Sequence, residues 1–130
     1  MLRLDLPTES FWVECPYGVR LLVRPMTTAM SHVAGTRAAR RVATMKAANP
    51  ADQNLNDPEM LAGLMTAEVT VAMAEVAVEA WEGVFSASGT EVAPLTPDGL
   101  RILMTAPAIA RAFSDGIDAP LARMAAEGNA

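Results

Sequence analysis

A chain of 130 residues, 52% hydrophobic and 19% charged, predicts one folded domain rather than a disordered segment. At this size about two thirds of the unfolded surface can be buried without staples. Its single cysteine, Cys15, excludes an internal disulfide and points to a reducing compartment. Net charge is −5, spread unevenly: residues 1–50 carry a net +4 and residues 51–130 a net −9. The asymmetry favours pairing of the halves, self-association into a homo-oligomer, or separate partners for each half. It speaks against general nucleic-acid binding, which wants a basic domain. The N-terminus has no long apolar run, so no signal peptide is expected. The longest apolar stretch, 69–81, is broken by Glu75 and Glu79, so no membrane association is expected either. The predicted location is cytoplasmic.

In chain order, residues 2–6 (LRLDL) alternate strictly and could form a strand. Residues 11–24 (FWVECPYGVRLLVR) predict a hairpin, with β-formers on both sides of Pro16-Tyr17-Gly18. In its second strand Val19, Leu21 and Val23 make one apolar face, while Arg20, Leu22 and Arg24 make the other. A lone hairpin is marginal, so a third strand, a helix or a partner must complete it. After Pro25, Thr27 or Thr28 caps a helix to about residue 48, with Met30, Ala34, Ala38, Val42 and Met45 on one face. Asn49 precedes Pro50 and ends it. A polar loop follows over 49–58.

Asp57 and Pro58 open a second helix, expected to reach Trp81 or Gly83. Met60, Leu64, Ala67, Val71, Ala74, Val78 and Trp81 line its apolar stripe, and Glu68, Glu75, Glu79 and Glu82 its polar face. Residues 86–95 read as a loop or a small second hairpin turning at Ser88-Gly89. Thr96-Pro97-Asp98 is a strong helix start and Thr105-Ala106-Pro107 a weaker one. Gly116 and Pro120 weaken or kink the last helix, and the tail at 127–130 frays. The expected fold is α+β: an N-terminal antiparallel hairpin or three-stranded sheet packed on about four helices, mostly helical. It is a single domain over 1–130, β-rich in 1–25 and helical in 26–130.

The residues suggest no catalysis. His32 is the only histidine, which leaves neither a multi-histidine metal site nor a serine triad. Glu14 beside Cys15 would raise the thiol pKa, the wrong direction for a nucleophile. The glutamates of the second helix lack a Glu-x-x-His companion, and no phosphate loop occurs. No cofactor or metal is therefore expected. Arg37, Arg40 and Arg41 form the best electrostatic patch, either a face for an acidic partner or a solvated face paired with the glutamate helix. Trp12 and Trp81 suit packing or contact. Tyr17 at a turn tip suits contact. Nine methionines fill apolar faces or cover another chain.

Two segments together, PYGVRLLVRPMTTA and AVEAWEGVFSASGTEVAPLTPDGLRILMTAPAIARAF, resemble the small tail assembly chaperones of tailed bacteriophages and phage-like bacterial elements. The shared pattern is a strand pair ending in Arg-Pro-hydrophobic-Thr and an Ala/Val/Glu helix finishing in Trp-Glu-Gly-Val. A Gly turn and a Thr-Pro-acid helix start follow. It covers roughly 11–115. The loop at 49–58 and the cluster Arg37–Arg40–Arg41 have no counterpart in it. The resemblance implies a non-enzymatic role in tail morphogenesis: binding the tape-measure protein, with recruitment of tail-tube protein as a further role, and absence from the finished virion. Trp12, Tyr17, Arg37, Arg40 and Arg41 are then the expected contact residues. Two other classes are compatible with the residues: a structural head–tail joining subunit, and a small DNA-binding regulator using the first helix.

Overall fold

The computed structural model describes residues 5–128. The element order is β1 (Phe11–Glu14), a 3₁₀ turn (Pro16–Gly18), β2 (Arg20–Val23), α1 (Thr28–Ala48), α2 (Gln53–Asn56), α3 (Pro58–Ala77), β3 (Val78–Glu82), α4 (Pro97–Met104) and α5 (Pro107–Gly128). The fold is α+β and mostly helical, with an antiparallel sheet packed on helices. Two compact units form: one from Met1–Met26 with Ala77–Ala130, the other from Thr27–Val76.

The first unit holds a three-stranded antiparallel sheet in the order β1-β2-β3. The predicted hairpin is present, in the register Phe11 opposite Val23 and Glu14 opposite Arg20. The third strand of this sheet comes from later in the chain than expected. Asp5 and Leu6 carry no strand, and residues 2–4 lie outside the described residues, as does the very end of the tail. It is β3, cut from what periodicity assigns to the end of the second helix. α3 stops at Ala77, whose carbonyl accepts the Arg24 N–H at 2.9 Å, and the chain turns into a strand on β2. An open β2 edge offers a ladder of hydrogen bonds, and that tertiary gain outweighs a helical pattern containing β-branched Val76 and Val78 and aromatic Trp81. A bulge at Leu22/Val23 absorbs the register shift.

One sheet face is fully apolar, as the alternation in β2 requires: Val13, Leu21 and Val23 are buried. α5 covers β1, and Gly116 permits the approach, because a Cβ there would collide with the Val13 side chain. Leu100 and Met104 of α4, with Ile109, Phe113 and Ile117 of α5, complete this core. Thr96 caps α4, its hydroxyl accepting the Gly99 N–H at 3.0 Å with Pro97 behind it. α5 runs through both Gly116 and Pro120. The predicted small hairpin also forms: Phe85 bridges Val92, and the Gly89 N–H donates to the Ser86 carbonyl at 2.8 Å.

The second unit is helical. Thr27 caps α1, accepting the Met30 N–H at 3.1 Å. Ala34, Ala38 and Val42 are buried on the predicted stripe. The polar loop contains the one-turn α2, capped by Asp52. Asp57 caps α3, accepting the Glu59 N–H at 3.1 Å. The stripe of α3 is buried only in its second half, at Val71 and Ala74, with Ala72 buried beside it, while Met60 and Ala67 are exposed. Glu68, expected on the polar face, is buried instead. A stripe this wide does not fix which edge of it turns inward. By length and composition alone α3 is apolar enough to cross a membrane, with 28% of that window buried.

Candidate interaction surface

The turn joining β1 to β2 is strained and rigid. Tyr17 has φ 64°, a left-handed conformation that costs a bulky residue about 1–3 kcal/mol. Its neighbours hold it there. The Cys15 N–H donates to the Val19 carbonyl at 2.8 Å, and Gly18 follows with φ 75°. Gly83, at φ 77°, lies against the Gly18 carbonyl so closely that any Cβ would collide with it. The result is a phenol 82% exposed on a fixed base.

Beyond Gly83 the chain presents two more apolar side chains at the same end of the sheet. Phe85 is 55% and Val92 66% exposed, paired across the small hairpin. Ile102 of α4 is also largely exposed. Trp81 fastens these pieces together. Its Nε1 donates to the Ala93 carbonyl at 2.8 Å, and its ring lies over Gly99, where a Cβ would come within 2.9 Å of it. Sequence reasoning passed over Phe85, Val92 and Ile102. The one available signal was an apolar residue at each end of a polar loop, which does not say that both face outward. Trp81→Phe leaves the Ala93 carbonyl without its donor and removes the benzo ring that lies over Gly99. We expect a loss of about 2 kcal/mol in urea unfolding, with the far-UV circular dichroism unchanged.

The second face of the sheet carries Trp12 beside Leu22, and Glu14 beside Arg20 beside Glu82, in the order of the strands. The Arg20 guanidinium lies 4.5 Å from the Trp12 ring centroid and pairs with Glu14 at 2.7 Å and Glu82 at 2.9 Å. Those hydrogen bonds, Glu14 first and then Glu82, raise the pKa of a group that is charged in any case. The Cys15 thiol is pushed up, first by burial and then by Glu14. That direction disfavours a nucleophilic thiolate, in line with the expectation for this residue.

Of the residues expected to make contacts, Trp12 and Tyr17 share the hairpin. Arg37, Arg40 and Arg41 lie on α1 but do not form one free patch. Arg41 grips Glu75 of α3, with Nη2 donating to Oε2 at 3.0 Å and Nη1 2.7 Å from Oε1, the latter contact ionic rather than directional. Arg37 approaches the same carboxylate at 3.9 Å. Arg40 is exposed. His32 is exposed on α1, and among the described residues no three His, Cys, Asp or Glu side chains group as metal ligands. The chain matches no protein-family model, no curated protein and no solved structure.

Proposed function

We propose that this protein is an assembly chaperone of the phage-tail type, acting by reversible binding to the helical tape-measure chain rather than by chemistry. The observation that carries the reading is the exposed apolar end of the sheet: Tyr17 held outward in a strained turn, with Phe85 and Val92 at the same end. Strain retained at an exposed aromatic marks a contact residue more readily than a packing one. The segments that build this end, PYG, WEGVF and TPDG, are those that carry the resemblance to tail assembly chaperones. A DNA-binding reading draws less support, because Glu75 engages two of the three clustered arginines.

The test is a pull-down of the tagged protein with the products of adjacent genes. Capture of a long helical tape-measure chain is expected, with no copy of this protein in mature particles. Recovery of the protein from purified particles, without such capture, would instead make it a head–tail joining subunit. Tyr17→Gly removes the ring and relieves the left-handed strain. Stability should stay level or rise by about 1 kcal/mol, while affinity for the captured partner falls about tenfold. Unchanged affinity would remove Tyr17 from the contact surface.

A further inference from the structure

Residues 78–82 satisfy the requirements of two secondary structures. As a helix they continue α3 without interruption: no Gly, Pro or Asn occurs between Gly63 and Gly83, and Val71, Ala74, Val78 and Trp81 keep helical spacing. As a strand they form β3, which begins at Val78 directly after α3 ends at Ala77. Gly83 serves either state. Its φ of 77° is the left-handed conformation that glycine adopts just past a helix C-terminus, and here it follows a strand instead.

The docked strand is held at few points. β3 lies at the edge of the sheet, beside β2 alone among the described residues. Leu22 opposes Ala80 while Val23 opposes Val78, so Glu79 is an extra residue with no partner in the β2 register. Its carboxylate instead accepts the Ser10 hydroxyl at 2.9 Å and lies 3.8 Å from Arg24. Arg20 bonds Glu82 at 2.9 Å, and Trp81 donates to the Ala93 carbonyl. In a continued helix Glu79 would lie one turn from both Glu75 and Glu82, where like charges repel. Charge therefore favours the strand, and the uninterrupted helical pattern opposes it.

We propose that Val78–Glu82 is a conformational switch. Docked as β3, it holds the Tyr17 turn through the contact of Gly83 with the Gly18 carbonyl. Released, it extends α3 to Glu82, frees that turn and bares the β2 edge. The backbone groups of the segment are paired in both states, by the ladder in one and by the helix in the other. The switch belongs to the free chain, so it is tested without any partner and independently of the tape-measure reading.

Strand β2 contains its own control. The Arg24 N–H donates to the Ala77 carbonyl, so Arg20 and Leu22, of the same parity, direct their amides to β3. The Cys15 N–H donates to the Val19 carbonyl, so Leu21 and Val23 direct theirs to β1. In native-state hydrogen exchange of the full chain, the Arg20 and Leu22 amides should exchange about tenfold faster than those of Leu21 and Val23. Saturation-transfer NMR should reveal a minor state with helical Cα shifts at Val78–Trp81, in which Tyr17 and Gly18 exchange at the same rate. Glu79→Lys removes the Ser10 and Arg24 contacts and sets a lysine four residues after Glu75, so it should raise the minor population about fivefold. Ala80→Val favours the strand and should lower that population about threefold. Equal exchange of the two amide sets in the natural chain and in Glu79→Lys would overturn the proposal. Coil-like Cα shifts in the minor state would also overturn it, reducing the event to fraying of an edge strand, as would a minor state in which Tyr17 and Gly18 take no part. If Glu79→Lys also strips protection from Leu21 and Val23, it has unfolded the chain, and an unchanged population in Ala80→Val then overturns the proposal by itself.

Discussion

Gly83→Ala should be strongly destabilising, because the added methyl meets backbone rather than a side chain that can move. The new Cβ falls on the Gly18 carbonyl oxygen and 3.3 Å from the Val19 Cα, both backbone atoms that cannot swing aside. At φ 77° an L side chain adds a left-handed penalty of about 1 kcal/mol, and overpacking against backbone adds about 1–3 more. A loss of about 3 kcal/mol follows, a drop in Tm of roughly 10 °C for a chain this size. Gly89→Ala is the control. It has φ 75° but nothing within 4 Å of the added Cβ, so only the conformational term, about 1 kcal/mol, should appear. Thermal unfolding followed by circular dichroism separates the two. Equal losses would mean that the Gly18–Gly83 approach relaxes freely and does not fix the Tyr17 turn.

Glu75→Ala should loosen the helical unit by about 2 kcal/mol. The carboxylate side chain is 12% exposed, and Arg41 opposite it is 31% exposed. Removing the acid strands a guanidinium that is partly shielded from water. A fully buried pair broken in this way costs about 3–5 kcal/mol, and Arg41's access to solvent reduces that. Arg37, at 3.9 Å and 43% exposed, contributes little. The double variant Arg41→Ala/Glu75→Ala should recover part of the loss, giving a coupling of about 1 kcal/mol in a double-mutant cycle. Hydrogen exchange should rise across α1 and the second half of α3. A coupling near zero would mean that Arg41 and Glu75 act independently, and it would return Arg41 to the pool of arginines available to a partner.

The site was less legible than the fold. Tyr17 could be read as exposed because Pro16 and Gly18 enclose it in a turn. Its left-handed backbone could not, because nothing local demands it: Gly83, far along the chain, holds Gly18 in place. The arginines of α1 looked like a patch because their spacing puts them near one another on a helix. Glu75 was also visible as an acid on another helix, but only the fold brings the two helices' charges together.

What the sequence determined by itself was local. The hairpin, the caps at Thr27, Asp57 and Thr96, and the buried stripe of α1 all appear where residue chemistry put them. Each depends on bonds or contacts spanning a few residues, so neighbours in the chain suffice to specify it. The tertiary structure decided where the third strand lies, which edge of α3 is buried, and which charges remain open to a partner. Residues 78–82 fit a helix and a strand about equally well when read alone. The unpaired edge of β2, distant in sequence, supplied the hydrogen bonds that chose the strand.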